Sequence, residues 1–437
     1  MLFSNISYID QNQQVVSHAY IGVTGAFISY IGQTPPPHPE DFGRRIEGRD
    51  LLLCPGFYNA HSHAAMALLR GYGENMKLQD WLFQRIFPFE DCLTEEDIYW
   101  ATQLCAAEMM RFGVVSATDM YMKGHAMARG FQDSGLKSNF AVGTSGMKPG
   151  LIYKELPQYR ELLELLDQYH MQDDGRIRCD LSLHAEYTTT EELVRGAAEA
   201  AQELGLRVHI HASETASEVQ ECRERHQGRS PIQYFHDCGL LDSPATLAHC
   251  VHVTPEDMAI IAADGASVAT CPKSNLKLAS GVCPAPQMLA AGVNLALATD
   301  SVASNNNLDF LEEMRFFALL SKGTQQDPTL IFPAQALYAA TRAGALSQGR
   351  EDCGYIAQGM RADLALFSTK QPQWQPCHNL LNNLIYSGCG SDVVMTLVDG
   401  QVRYENGEFP HLDIEKIYAQ VEASRQRILG ELAAKNN

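Results

Sequence analysis

Leu51-Leu-Leu-Cys-Pro-Gly-Phe-Tyr-Asn-Ala-His-Ser-His63 is an apolar run that ends on two histidines flanking a serine. It is the first of eight short strand-like runs lying between about residues 55 and 356. The others are Val114-Val-Ser-Ala-Thr-Asp, Ala141-Val-Gly-Thr, Asp180-Leu-Ser-Leu-His, Arg207-Val-His-Ile-His, Thr246-Leu-Ala-His, Ser267-Val-Ala-Thr and Asn294-Leu-Ala-Leu-Ala-Thr-Asp. Stretches of helical periodicity, such as Glu191 to Leu204 and Pro255 to Ala263, separate them. Eight such units in about 300 residues fit an α/β fold closed into a (β/α)8, or TIM, barrel. A doubly wound open sheet is the competing arrangement, and the Gly-rich phosphate turn it often carries is missing.

Outside this rhythm the chain changes character. Residues 1–54 alternate short apolar pieces with glycines and a Pro35-Pro-Pro run, which is strand-and-turn writing. Ala362-Asp-Leu-Ala-Leu-Phe and Val393-Val-Met-Thr-Leu-Val-Asp-Gly-Gln-Val-Arg-Tyr read the same way, with Asp399-Gly400 as a hairpin turn. The expected organisation is a small β-sandwich domain built from residues 1–54 and 357–412, closed around a barrel over 55–356. An amphipathic helix over 413–437 ends the chain.

The 437 residues suffice for a large core. Thirty-three Lys and Arg stand against 52 Asp and Glu, giving a net charge of −19 with histidines neutral. Such a field repels phosphate backbones and anionic lipid, so neither nucleic acid nor a membrane is an expected partner. Twelve cysteines are scattered from Cys54 to Cys389 without a CxxC pair, and the opening MLFSNISYIDQNQQVV has no basic region leading into an apolar run. Reduced thiols in a cytoplasmic protein are therefore expected. No apolar stretch nears the roughly 20 residues that cross a bilayer.

Nearly every barrel run ends on a histidine or an aspartate, and in a barrel those ends converge on one mouth. Period-two alternation turns His61 and His63 to the same inward face, about 6–7 Å apart along the strand. His211 lies near the end of the fifth run with Glu214 just beyond it, His249 closes the sixth, and Asp300 follows the eighth. A carboxylate at the end of a buried strand needs a partner or goes neutral, and a dication supplies one. Three imidazoles and a carboxylate suit zinc or ferrous iron. Each residue also has a plainer reading. The first pair can be hydrogen-bonded core histidines, and Asp300 can cap the helix that follows. His209, deeper on the face of His211, reads as packing, and His252 as a loop residue. Coincident polar ends on runs one, five, six and eight argue for a shared site.

Longer pieces carry a resemblance. They are Pro55-Gly-Phe-Tyr-Asn-Ala-His-Ser-His63, Leu78-Gln-Asp-Trp-Leu82 with Pro88-Phe-Glu90, and His209-Ile-His-Ala-Ser-Glu-Thr215. Ala248-His-Cys-Val-His252, Ser274-Asn-Leu-Lys-Leu278, Ala298-Thr-Asp-Ser-Val-Ala-Ser-Asn-Asn306 and Gly359-Met-Arg-Ala-Asp-Leu364 complete the set. Together these resemble the amidohydrolase superfamily, in its deaminase branch around the 5′-methylthioadenosine/S-adenosylhomocysteine deaminases, over essentially the whole chain. The resemblance implies one divalent metal, Zn2+ ahead of Fe2+, held by His61, His63, His211 and Asp300. It implies proton handling by Glu214, His249 and Asp300, and substrate contacts from Trp81, Glu90, His184 and Ser304. In related nucleoside deaminases the residue matching Glu90 binds the ribose hydroxyls, as a carboxylate can.

The implied activity is hydrolytic deamination at C6 of a 6-aminopurine nucleoside of the adenosine, methylthioadenosine or S-adenosylhomocysteine class, by a homo-oligomer. The alternative is a sister amidohydrolase of guanine, cytosine or a triazine. A two-metal cyclic-amide hydrolase would need a lysine where this chain has His184, and a non-catalytic scaffold would be expected to lack a ligand or the acid. One departure stands out. Relatives that act on S-adenosylhomocysteine place an arginine near the strand at Phe140-Ala-Val-Gly, where this chain offers only Lys137 and Lys148 nearby. A lysine cannot form a bidentate fork on a carboxylate, which favours smaller adenosine derivatives.

Overall fold

The computed structural model describes residues 1–76 and 78–435, apart from the side chains of Leu78 and Gln79. Eight parallel strands form a nearly closed barrel: β1 (Phe57–Ser62), β2 (Val114–Tyr121), β3 (Lys137–Thr144), β4 (Leu181–Leu183), β5 (Val208–Ala212), β6 (Ala245–His249), β7 (Ser267–Thr270) and β8 (Asn294–Leu297). They neighbour one another in chain order, with Ile177–Cys179 pairing off β3. All residues of β1 and β2 are buried, as strands covered on both faces require. Past β8, the Asp300 amide donates to the His61 carbonyl at 3.1 Å, tying the last strand's end to the first. The barrel expected from the sequence is the barrel the chain forms.

Local chemistry sets the crossovers. The helix Glu191–Leu204 starts where the Thr190 side chain accepts from the Leu193 amide and stops at Gly205, whose φ of 65° is cheap only for glycine. Pro255–Ala263 starts with Thr254 accepting from the Asp257 amide and Pro255 in the first turn. Parallel registers such as Ala212 opposite His249 bring adjacent strand ends level at the mouth.

One feature differs from the sequence reading. The opening run is two strands, with Leu51–Pro55 pairing antiparallel with Leu364–Ser368 and β1 beginning at Phe57. Between them sits Gly56, where a Cβ would lie 2.3 Å from Val115 Cγ1. The chain therefore changes sheets at a point with no room for a side chain.

Both chain ends meet in one eight-stranded mixed sheet: Leu2–Ile9, Val15–Thr24, Phe27–Gly32, Arg45–Glu47, Leu51–Pro55, Leu364–Ser368, Val393–Val398 and Gln401–Glu405. Phe3, Ile6, Ile21, Leu53, Leu366 and Leu397 form part of its core. Asp399 and Gly400 make the hairpin turn with φ of 49° and 71°, as the sequence predicts. The terminal helix covers Ile414–Lys435, and the last two residues of the expected helix lie outside the described residues.

By compactness the chain divides into Met1–Asn59, Ala107–Ser116 and Leu308–Leu412, and into Ala60–Ala106, Ala117–Asn307 and Asp413–Asn437. Every site residue considered below lies in the second unit. All twelve cysteines are free thiols, and all but Cys377 and Cys389 are buried. Among the described residues no helix is long and apolar enough to cross a membrane. Gly56→Ala is expected to cost about 1–3 kcal/mol through overpacking on Val115. Denaturant titration would show a lower midpoint, partly restored by adding Val115→Ala; an unchanged midpoint would mean the backbone absorbs the methyl.

Candidate metal centre and pocket

Alternation at the end of β1 turns His61 and His63 into the mouth, with ring centroids 4.7 Å apart and nearly perpendicular. His211 arrives from β5, its Nε2 3.3 Å from that of His63. Asp300, beyond β8, brings Oδ1 to 3.4 Å from His63 Nε2 and 3.6 Å from His61 Nε2. His249, last residue of β6, stacks on His211 at 5.4 Å between centroids. Two overlapping triads, His61–His63–His211 and His61–His249–Asp300, have ligand atoms within 4.8 Å of one another. Side chains from four strand ends are thus brought to one point.

This donor set fits a divalent cation. His63 Nδ1 donates to the Met120 carbonyl at 2.5 Å, and His211 Nδ1 to the His184 carbonyl at 2.7 Å. In those tautomers, which the partners dictate, two Nε2 lone pairs face each other, an arrangement only a cation reconciles. Among the described residues His61 Nε2 is buried with no hydrogen-bond partner, and leaving such an atom unsatisfied typically costs about 1–3 kcal/mol. Burial, aided by neighbouring imidazoles, pushes His61 and His211 well below the ordinary histidine range, so both are neutral and able to ligate. A His/Asp cluster suited to a divalent metal is present.

Support for the cluster comes from residues the sequence reading passed over. His61 Nδ1 meets His209 Nε2 at 2.7 Å, so His209 does more than pack. Asp119, buried in β2, accepts from Ser62 Oγ at 2.8 Å and from the Ala64 amide at 2.6 Å, gripping both sides of His63. Asp300 Oδ2 accepts from Ser274 Oγ at 2.6 Å and Ser304 Oγ at 3.0 Å. The cap of helix Val302–Asn305 is Ser301, not Asp300. Ser213, His249, Cys250 and Asp300 all have φ between 47° and 72°, at a typical cost of 1–3 kcal/mol each. The strand ends are held there by backbone bonds such as Cys250 N to Ala212 O at 3.0 Å.

Glu214 lies beside the cluster, Oε2 3.9 Å from His249 Nε2 and Oε1 accepting from Ser280 Oγ at 3.3 Å. His249 Nδ1 donates to Asn275 Oδ1 at 2.9 Å, which points Nε2 at the site. Burial lowers the pKa of His249, but the Glu214 and Asp300 carboxylates outweigh it and leave the ring above its ordinary value. His252, expected in a loop, donates Nε2–H to the Ser280 carbonyl at 2.7 Å.

Above the cluster opens a cavity of about 180 Å3, lined by His63, His211, Glu214, His249 and Asp300 together with Trp81, Glu90, His184 and Ser304. Met66, Leu82, Ile86, Phe87, Met122 and Leu278 make much of the remaining wall. Among the described lining residues there is no lysine or arginine. Lys137 is buried at the start of β3 and Lys148 is exposed in the loop beyond; neither lines the cavity. Burial raises the Glu90 carboxyl above its ordinary value, opposed by the Tyr121 hydroxyl that donates to it at 2.7 Å. Burial also brings His184 down to about 4.

The amidohydrolase family profile matches residues 52–403. A 5-methylthioadenosine/S-adenosylhomocysteine deaminase of Moorella thermoacetica is 39% identical over 423 residues, covering 96% of this chain and 98% of its own. The crystal structure of an adenosine deaminase from Xanthomonas campestris with bound zinc superposes with a TM-score of 0.92 at 30% identity, covering 98% of each chain. An atrazine chlorohydrolase from Arthrobacter aurescens, complexed with zinc, shares the fold with a TM-score of 0.90 at 22% identity, over 97% of this chain and 99% of that one.

His209→Ala and Asp119→Ala should each weaken zinc binding about 10–100-fold, the usual cost of losing a partner that orients a ligand. Competition against a chromogenic chelator reads this directly, and unchanged affinity in both variants would show that the strands alone orient His61 and His63.

Proposed function

The chain belongs to the amidohydrolase family, and from that premise we propose that it hydrolytically deaminates a 6-aminopurine nucleoside, releasing ammonia and an inosine-type product. The observation that carries this reading is Glu214, a carboxyl group set beside His249 at the edge of the His/Asp cluster, in a cavity that also holds the half-buried Glu90. Relatives named as deaminases of such nucleosides support it.

On this reading His61, His63, His211 and Asp300 hold one divalent cation, zinc before ferrous iron. When bound it supplies a Lewis acid that lowers the pKa of water from 15.7 toward about 7. His249 and Asp300 flank the attacking water, orient it toward C6 and take its proton. Negative charge builds on the ring nitrogen next to C6, and Glu214, arriving in its acid form, gives that nitrogen a proton. The C6–N bond then breaks and ammonia leaves with the proton returned from His249 or Asp300, while the hydroxyl left on C6 gives its remaining proton back to Glu214 and becomes the carbonyl of the product.

Glu90 accepts hydrogen bonds from the two ribose hydroxyls. Trp81 and His184 provide pocket wall, and Ser304, whose hydroxyl serves Asp300, completes the contact surface from β8. The apolar wall without a described cation suits an uncharged 5′ group, so adenosine and methylthioadenosine fit better than the amino-acid arm of S-adenosylhomocysteine. Glu90 also favours a ribose-bearing substrate over a free base or a triazine.

Ammonia release from a panel of adenosine, methylthioadenosine, S-adenosylhomocysteine, adenine and guanine tests the proposal; turnover of free bases alone would overturn it. Glu214→Gln should keep its zinc yet lose about 10²–10⁴-fold in kcat, and normal turnover would remove the acid role. Glu90 has a raised pKa, so its acceptor form is lost as pH falls through that value. KM for the nucleoside should therefore rise toward acid, and Glu90→Gln should flatten that rise.

A further inference from the structure

Glu218 is the third residue of the helix Ala216–Arg225 and lines neither the cavity nor the cluster. Its carboxylate, buried with 6% exposure, accepts from three consecutive amides: Ser213 at 2.8 Å, Glu214 at 2.7 Å and Thr215 at 3.3 Å. A glutamate at this position of a capping box needs only the amide of the cap, here Thr215, whose hydroxyl reciprocally accepts from the Glu218 amide at 3.1 Å. That required bond is the longest of the three. The two shorter ones reach beyond the helix, to Glu214 and the residue before it.

Those residues form a turn that would not hold its shape unaided. Ser213 is fully buried in the left-handed region with φ of 53°, which a serine does not favour. Its carbonyl accepts from the Val251 and His252 amides at 3.0 and 2.9 Å, fastening one side of the turn to the loop after β6. Among the described residues Glu218 takes the Ser213 and Glu214 amides on the other side. A carboxyl group can offer both of its oxygens to stacked amides, as Glu218 does here. We infer that Glu218 is a positioning residue that fixes the turn at Ser213 and Glu214, beyond the helix cap, and so aims Glu214 at the reacting ring.

This rests on the reading of Glu214 as proton donor. The test compares zinc-loaded wild type, Glu218→Gln and Thr215→Ala in steady-state turnover of methylthioadenosine, with zinc content and thermal melting measured alongside. The amide of Glu218→Gln keeps one acceptor oxygen and turns an N–H toward a backbone donor. Its kcat should fall about 100-fold, as for a misplacement near 1 Å, with KM and zinc content unchanged. Thr215→Ala cuts the hydroxyl half of the cap and leaves Glu218 in place, so it should melt lower and keep its kcat. Full kcat in Glu218→Gln, or an equal loss in Thr215→Ala, would reduce Glu218 to a helix cap and overturn the inference. If Glu218→Gln does not fold, Glu218→Asp carries the same expectation of lower kcat at constant KM. A wild type inert on every nucleoside would bring down the reading of the site itself, whereas an active wild type with a fully active Glu218→Gln would bring down the positioning role alone.

Discussion

Three imidazole nitrogens and a carboxylate oxygen crowd into a space with no room to solvate them separately, and the upper barrel is built to keep them there. Lone pairs at the distances of His63, His211 and Asp300 repel unless a positive charge lies among them. The protein therefore has to hold its ligands in place before any cation arrives. It does so from behind. The Met120 and His184 carbonyls fix two rings, His209 fixes a third, and two serine hydroxyls hold the carboxylate. Each ring partner satisfies the nitrogen facing away from the cluster and so turns the Nε2 atoms toward it, while Asp300 Oδ1 is steadied by the Ser301 amide at 2.7 Å.

The same demand explains why the backbone is contorted at the strand ends. A regular strand would alternate its side chains inward and outward and could not direct both a ligand and the following residue into the mouth. Left-handed conformations at Ser213, His249, Cys250 and Asp300 turn the chain sharply where β5, β6 and β8 stop. Such turns are costly for residues with side chains, and they persist because neighbouring loops share their hydrogen bonds. The Ser213 carbonyl receives two amides from the β6 loop, and the Cys250 amide reaches back to β5. Strain and support are thus distributed over adjacent loops, which makes the mouth one cooperative unit.

How far this could be read beforehand depended on where each residue's partner lies. The barrel was legible because apolar runs and helical stretches alternate, and a pattern of that kind is local. The residues of the cluster could be picked out because they fall at or just past the C-terminal ends of β1, β5, β6 and β8. Gly56 was not, since its necessity comes from Val115, which arrives from another strand. His209 looked like packing because its partner, His61, is 148 residues away, and nothing in Val208-His-Ile-His distinguishes a ring that touches a ligand from one that fills space. Asp119 and Glu218 act on backbone amides, which leave no trace in side-chain identity. Trp81 and Glu90 entered only through resemblance to a family, because the segment between β1 and β2 carries no period that points at the mouth.

Charge selects the substrate at two ranges, on the proposed reading. At long range a net charge of −19 disfavours approach of phosphorylated nucleotides, which are otherwise near neighbours of the nucleosides in shape. At contact range the cavity offers carboxylates at Glu90, Glu214 and Asp300 and no described lysine or arginine, so an anionic arm would be buried without a counter-charge. A neutral nucleoside pays neither penalty. Its ribose brings donors to a carboxylate, its ring nitrogen accepts from an acid, and its 5′ substituent meets methionine and leucine. The whole-chain field and the described pocket wall arise from unrelated parts of the sequence, yet on the proposed reading both disfavour an anionic ligand.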